Sequence, residues 1–110
     1  KDLFTFSHPF DQNCSKFERF GVLQFQCTQN CLMNAFVGYF RSVLYDDILM
    51  STEPATYSKD MFSWFPIVFP LREPVVVQEG DVIEVAFWRK HCAEYVWYEW
   101  ALRKPTVSRV

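Results

Sequence analysis

The stretch FSWFPIVFP, at residues 62–70, decides how the rest of the chain is interpreted. It holds four aromatic side chains and two prolines within nine residues, and it carries no charge. Proline fixes φ and lacks a backbone N–H, so two prolines four residues apart exclude a regular helix interior and a fully hydrogen-bonded strand. The sequence therefore predicts a rigid loop, or one short helical turn that begins at Pro66 with Ser63 as its N-cap.

The aromatic side chains of this stretch have two interpretations. They can form a hydrophobic plug at one end of a core, which is the commoner role of aromatic residues. Alternatively, they form a preformed wall for a ligand. Trp64 is then the most capable member, because tryptophan has the strongest quadrupole for contact with a planar cation. The residues alone favour the plug.

Composition limits the class of protein. A length of 110 residues predicts a single domain, 1–110, with one core. Half of the residues are hydrophobic and only 22% are charged, which excludes disorder. The formal charge is −2 and the basic residues are scattered, so direct binding to nucleic acid is not expected. No apolar run reaches the roughly 18 residues of a membrane span, so no membrane contact is expected either.

The four cysteines, at positions 14, 27, 31 and 92, do not have the spacing of a metal site. A zinc site usually offers two tight pairs of ligands, whereas the second pair here is the adjacent His91 and Cys92. We therefore expect no bound metal and four free thiols in a reducing compartment.

Short apolar segments at about ten-residue spacing predict an all-β fold, an antiparallel β-barrel or sandwich. Residues 22–28 alternate apolar and polar side chains, which is typical of a half-buried strand. Residues 75–77 and 82–89 flank the turn sequence Glu-Gly-Asp and predict a β-hairpin. Residues 32–50 fit a helix and a strand about equally well. Further strands are predicted at residues 3–7 and 95–102, with a loop at 10–20 and a second hairpin turn at 90–93.

Catalytic motifs are not found in the sequence. Its three glycines form no Gly-x-Gly loop that could approach a phosphate or a nucleoside. Asp46 and Asp47 are adjacent, so in a strand they point to opposite faces and cannot act together. His8 lies beside a predicted turn, without the spacing of a catalytic triad, and we interpret it as structural.

Seven short motifs, most of them rich in aromatic residues, carry a family resemblance. They are FTFSHP at 4–9, GYF with VLYDDI within 38–48, MFSWFPIVFP at 61–70, EGD at 79–81, FWR at 87–89 and VWYEWA at 96–101. Through them, residues 3–102 resemble the C-terminal β-barrel domain of the protein arginine methyltransferases, in the symmetric-dimethylating (type II) branch. The resemblance implies strands rather than a helix at 32–50.

The resemblance also implies that the chain is a fragment. In that family, S-adenosylmethionine is bound by a Rossmann-like domain that precedes the barrel, and two glutamates there hold the substrate guanidinium. Neither feature is in this sequence. We therefore expect S-adenosylmethionine to be the cofactor of a parent enzyme, and this chain to be an incomplete barrel with no catalytic, cofactor-binding or metal-binding residue. The barrel's first strands and its last strand are expected to be missing.

In most arginine methyltransferases a Thr-His-Trp loop on the barrel reaches the active site. The corresponding residues here are Phe62, Ser63 and Trp64, and serine in place of histidine is typical of the symmetric branch. By position, the resemblance implies that Trp64 stacks on the substrate arginine and that Phe65 borders the peptide groove. The predicted substrate-binding residues are Ser63, Trp64 and Phe65.

The partners follow from the same resemblance. They are arginine-containing protein substrates, such as histone tails and Gly/Arg-rich proteins, a WD-repeat partner of the parent enzyme, and a second copy of the chain through self-association. The expected location is the cytoplasm and nucleus. The alternative is an independent, non-enzymatic β-sandwich module that binds a peptide or a carbohydrate.

Overall fold

A computed structural model describes residues 1–7, 18–61 and 63–105. In these ranges the chain is nearly all β, which confirms the predicted fold class. The strands are β1 Arg19–Gln26, β2 Cys31–Gly38, β3 Arg41–Tyr45, β4 Ile48–Ser51, β5 Ile67–Val77, β6 Val82–His91 and β7 Val96–Lys104. The described part of the chain has no helix long and apolar enough to cross a membrane.

The strands form three sheets, with the orders β1-β6-β7, β2-β5 and β3-β4. Within the described ranges, none of these sheets closes into a barrel. Residues 32–50 form β-strands, as the family resemblance implied. The chain divides into two compact units, one made of Lys1–Met33 and Val75–Val110 and the other of Asn34–Pro74.

The core of the first unit lies on β6, the central strand of the three-stranded sheet. β1 and β7 both pair with it in antiparallel register. The exposure of side chains alternates along β1, which confirms the predicted half-buried strand. The buried apolar side chains of this unit are Cys27, Val77, Ile83, Val85, Ala86 and Phe87.

The strand predicted at residues 3–7 is wrong, because this segment has no regular secondary structure. It is held by side-chain contacts instead of ladder hydrogen bonds. A Cβ atom added at Gly21 would lie 2.9 Å from Cδ1 of Leu3, so glycine leaves the space that Leu3 occupies. The ring of Phe6 lies 5.1 Å from the guanidinium carbon of Arg19 and 4.9 Å from that of Arg89. The predicted loop at 10–20 lies largely outside the described residues, as does His8.

The predicted hairpin of residues 75–89 is also wrong, although its turn forms. The N–H of Asp81 donates to the carbonyl of Gln78 at 3.0 Å, and Gly80 has a φ of 92°. However, β5 and β6 belong to different sheets. The turn pairs with the residue that follows β1, since Gly80 N–H donates to the Cys27 carbonyl and Cys27 N–H to the Asp81 carbonyl, both at 2.8 Å.

The second predicted hairpin is confirmed as β6 and β7. Its turn is closed by the N–H of Cys92, which donates to the carbonyl of Tyr95 at 3.0 Å. Along β7 the side chains of Tyr98 and Trp100 are half-buried, while Trp97 and its neighbours on the other face are exposed. This is the division between two faces that the alternating sequence predicted.

The helical turn predicted near Pro66 is wrong. The chain's described helical turn is a 3₁₀ helix at Pro54–Thr56, where proline occupies the first turn. Pro66 is followed by β-branched residues and leads into β5, which includes Pro70 and Pro74. β5 is one of two strands in its sheet and therefore has an outer edge, and a proline whose nitrogen faces such an edge breaks no ladder bond.

Candidate functional site

The candidate site is the loop that connects the 3₁₀ turn to β5 in the second unit. Trp64 is 51% exposed and Phe65 is 75% exposed, and Ser63 is exposed as well. Phe69, only a few residues later, is 6% exposed. The aromatic stretch therefore has an exposed half and a buried half. The plug interpretation applies to Phe69, whereas the exposure of Trp64 is what a ligand wall requires. Phe62 lies outside the described residues.

Two contacts hold Trp64 within its own unit. Its ring centroid lies 5.4 Å from that of Phe40, with an angle of 59° between the ring planes. Its backbone N–H donates to the carbonyl of Met61 at 3.5 Å. Tilted aromatic pairs at this separation stabilise by about 0.5–1.5 kcal/mol beyond the area they bury. The indole is therefore supported by Phe40, while about half of the residue's surface stays open to solvent.

Phe40, between β2 and β3, is itself fixed by the buried residue Thr52. Its N–H donates to the Thr52 hydroxyl oxygen at 3.0 Å, and its carbonyl accepts from the Thr52 N–H at 3.0 Å. Arg41 and Ser51 form the neighbouring pair of the β3-β4 sheet. Thr52 thus continues this ladder by one step, using its side chain as one of the partners.

Ser51, fully buried, ties down the segment that enters the loop. Its N–H donates to the Ser58 hydroxyl and its carbonyl accepts from the Ser58 N–H, both at 3.0 Å. Its own hydroxyl accepts from the N–H of Glu53 at 3.0 Å and shares a hydrogen bond of 2.8 Å with the Thr56 hydroxyl. Sequence reasoning missed Ser51, Thr52 and Phe40 as residues that support this loop. The available signal for these residues was the pair Ser51-Thr52, two hydroxyl side chains at the end of an apolar segment and just before Pro54.

The charged groups near this corner stabilise the loop little. Arg41 Nη1 lies 3.3 Å from Glu53 Oε2, and the two side chains are 46% and 40% exposed. An exposed ion pair of this kind contributes about 0–1 kcal/mol. The predicted site residues Ser63, Trp64 and Phe65 offer no group that titrates near neutral pH. Their arrangement suits binding and orientation of a ligand rather than proton transfer.

The described cysteines belong to the first unit, whereas this loop belongs to the second. Cys27, Cys31 and Cys92 form no disulfide, and no three metal-ligating side chains cluster among residues 1–7, 18–61 and 63–105. Desolvation, followed by the neighbouring Cys27 thiol, raises the pKa of Cys31. Backbone N–H groups of Glu94 and Tyr95 lower the pKa of Cys92. Cys14 lies outside the described residues, and free thiols without metal stay a prediction.

Sequence comparison gives the family. The PRMT5 oligomerisation domain matches residues 1–110. The chain is 42% identical over 107 residues to protein arginine N-methyltransferase 5 of Xenopus laevis, which covers 97% of this chain and 17% of that protein. It is 44% identical over 113 residues to the protein of the same name in Oryza sativa subsp. japonica, and this alignment covers 100% of this chain and 17% of that protein. It is 36% identical over 118 residues to protein arginine N-methyltransferase skb1 of Schizosaccharomyces pombe, and this alignment covers 99% of this chain and 19% of that protein.

The chain thus spans less than a fifth of the length of these relatives. The match extends over residues 1–110, so it includes the loop with Trp64 and the β-strands of both units. This chain belongs to the PRMT5 oligomerisation domain family.

Proposed function

We propose that this chain is the substrate-facing and oligomerising barrel domain of a protein arginine N-methyltransferase that forms symmetric dimethylarginine. The observation that carries the proposal is the half-exposed Trp64, held by Phe40 on a loop that Ser51 and Thr52 anchor. The relatives are named as arginine N-methyltransferases, which supports the reaction class.

The chemistry of arginine suits this loop. A guanidinium is planar and permanently charged, so it can lie on an indole face without losing a proton. Such a contact contributes about 0.5–2 kcal/mol, which is enough to orient the substrate but not to catalyse methyl transfer. Phe65, at 75% exposure the most exposed aromatic side chain among the loop residues that the structure describes, borders the groove for the substrate peptide. Ser63 has a small side chain, which leaves room beside the indole.

The methyl group comes from S-adenosylmethionine, bound by another domain of the parent enzyme. The loop around Trp64 has no glycine-rich turn that could cradle the cofactor. The part assigned to this chain is to hold the arginine side chain and its peptide. The two glutamates that orient the guanidinium belong to the cofactor domain.

The proposal includes partners and location. The substrates are arginine-containing proteins, such as histone tails and Gly/Arg-rich segments. The parent enzyme has a WD-repeat partner. The enzyme and this partner act in the cytoplasm and nucleus. Self-association is supported by the description of the matching family as an oligomerisation domain. The exposed apolar side chains of the β3-β4 hairpin support it as well.

The test compares the full-length protein with the isolated chain. With S-adenosylmethionine and a Gly/Arg-rich peptide, mass spectrometry and amino-acid analysis should find symmetric dimethylarginine for the full-length protein. The isolated 110-residue chain should bind no S-adenosylmethionine in calorimetry and transfer no methyl group. Turnover by the isolated chain, or only asymmetric product from the full-length protein, would contradict the proposal.

A further inference from the structure

Two adjacent polar residues are buried in the second unit, at the end of β4. Ser51 is 0% exposed and Thr52 is 1% exposed. Buried hydroxyl groups destabilise a fold unless they are hydrogen-bonded, and their partners therefore indicate what they fix. The partners of Ser51 lie in the segment that enters the loop, and Thr52 is hydrogen-bonded to Phe40, the residue that supports Trp64.

The hydroxyl group of Thr52 takes the place of a backbone acceptor. Phe40 lies between β2 and β3, just before the pair formed by Arg41 and Ser51. At the next ladder position the carbonyl of Phe40 accepts from the N–H of Thr52, but its N–H donates to the Thr52 hydroxyl. A valine at position 52 would have nearly the same shape and would leave this N–H without that acceptor.

The orientation of Trp64 depends on Phe40. A half-exposed indole has packing contacts on only part of its surface, so the contacts that remain set its rotamer. The Phe40 ring, 5.4 Å away, is one of these contacts. A shift of the Phe40 backbone would move this ring and change the support of the indole.

We propose that Thr52 is a positioning residue for the substrate arginine and acts through Phe40 on the indole of Trp64. The inference rests on the proposed function of the loop and adds a residue that does not itself touch the substrate. The structural alternative is that Thr52 only stabilises the fold. In that case its loss lowers the amount of folded enzyme without changing how the folded enzyme binds the peptide.

The test uses steady-state kinetics of the full-length protein with S-adenosylmethionine and an arginine-containing peptide. Thr52→Val should lower kcat/KM for the peptide by about fivefold, which corresponds to the net worth of about one hydrogen bond. The KM for S-adenosylmethionine should not change. Thr52→Ser, which keeps the hydroxyl group, should restore kcat/KM to within about twofold. Glu53→Gln, which weakens the exposed ion pair with Arg41 at the same corner, is the matched control and should stay within about twofold.

The outcomes separate this inference from the proposed function. If Trp64→Ala leaves kcat/KM for the peptide unchanged, the proposed function fails and the inference fails with it. If Trp64→Ala lowers kcat/KM but Thr52→Val does not, only the inference is overturned. A fall in kcat for Thr52→Val with an unchanged peptide KM, matched by an equal loss of folded protein, assigns Thr52 a structural role and overturns it too.

A second variant keeps the test decisive if Thr52→Val does not fold. Phe40→Leu keeps the backbone hydrogen bonds with Thr52 and removes the aromatic ring that supports Trp64. It should also lower kcat/KM for the peptide by at least about threefold, as expected for the loss of an aromatic pair. A folded Phe40→Leu enzyme with full kcat/KM would overturn the inference.

Discussion

Trp64 and Phe69 belong to one aromatic stretch but have opposite environments. Trp64 is half-exposed, whereas Phe69 is buried next to the backbone of Gly38, where an added Cβ would lie 2.8 Å from the Phe69 ring. Composition could identify the stretch as important, but it could not assign these roles, because an aromatic wall and an aromatic plug have the same residue types. The exposure of each side chain depends on the fold around it.

The contributions of Phe69 and Trp64 to the free energy of unfolding should differ accordingly. Phe69→Ala should lower the free energy of unfolding by about 3–5 kcal/mol, since it removes a large buried side chain. Trp64→Ala should lower it by less than about 1.5 kcal/mol, near the average for a point mutation. Urea denaturation of the two variants measures both values. Equal losses would show that Trp64 is a core residue after all.

The thiol groups of Cys31 and Cys92 should differ in reactivity. Backbone N–H groups of Glu94 and Tyr95 lower the pKa of Cys92, while desolvation and the Cys27 thiol raise the pKa of Cys31. The thiolate is the reactive form, so at a pH below the usual thiol pKa a larger fraction of Cys92 is ready to react. Both side chains are exposed, so access does not decide the order.

Iodoacetamide labelling followed by peptide mass spectrometry measures this difference. At pH 7.5–8, roughly one unit below the usual thiol pKa, Cys92 should be alkylated several times faster than Cys31. The two rates should approach each other as the pH rises above the pKa of both thiols. Faster labelling of Cys31 at the lower pH would contradict the assigned directions.

At the scale of elements, two glycines have distinct tasks. Gly80 has a φ of 92° in the turn before β6, with no atom within 4 Å of an added Cβ. Gly38, at the end of β2, does not have a positive φ. However, an added Cβ would lie 2.8 Å from side-chain atoms of both Ile67 and Phe69. Gly80 is required for its conformation and Gly38 for close packing.

Gly80→Ala and Gly38→Ala should each lower the free energy of unfolding by about 1–3 kcal/mol, for different reasons. A double-mutant cycle with Phe69→Leu separates the two mechanisms. The smaller ring-free side chain should relieve part of the loss of Gly38→Ala, with a coupling of at least about 0.5 kcal/mol. With Gly80→Ala, by contrast, the losses of free energy of unfolding of the two single variants should simply add in the double variant. Additive behaviour of Gly38→Ala would contradict the packing explanation.

The elements also show what sequence patterns can predict. The alternation along β1 and β7 was visible because each has one buried face, and a period of two residues is a local property. The turn at Gly80 was predictable because a turn also depends on a few consecutive residues, here Glu-Gly-Asp at 79–81. The pairing of β5 with β2 instead of β6 was not, because strand partners are chosen by long-range packing that a local pattern does not contain.

At the scale of the whole molecule, the β3-β4 hairpin leaves large apolar side chains exposed on both faces. They are Val43, Leu44, Tyr45, Ile48 and Leu49. A two-stranded hairpin is only marginally stable by itself in water, and an exposed apolar patch of this kind marks an interaction surface. We therefore expect the chain to self-associate.

Light scattering at about 100 μM should detect dimers or larger species, since exposed apolar strands promote pairing. Combined substitution of Val43→Lys and Leu49→Lys, a cross-strand pair, should shift the chain toward monomer, because like charges repel across the hairpin and between copies. Gln26→Lys, on the exposed side of β1, is a control that adds charge elsewhere. A clean monomer for the unsubstituted chain would contradict this expectation.

The most direct test of the central claim is the kinetics of Trp64→Ala in the full-length protein. If Trp64 orients the substrate arginine, kcat/KM for an arginine-containing peptide should fall by at least about tenfold, equivalent to about 1.4 kcal/mol of transition-state stabilisation. The affinity for S-adenosylmethionine should not change, and Trp64→Phe should recover part of the loss because it keeps a flat ring with a weaker quadrupole. A folded Trp64→Ala enzyme with unchanged kcat/KM would contradict the account.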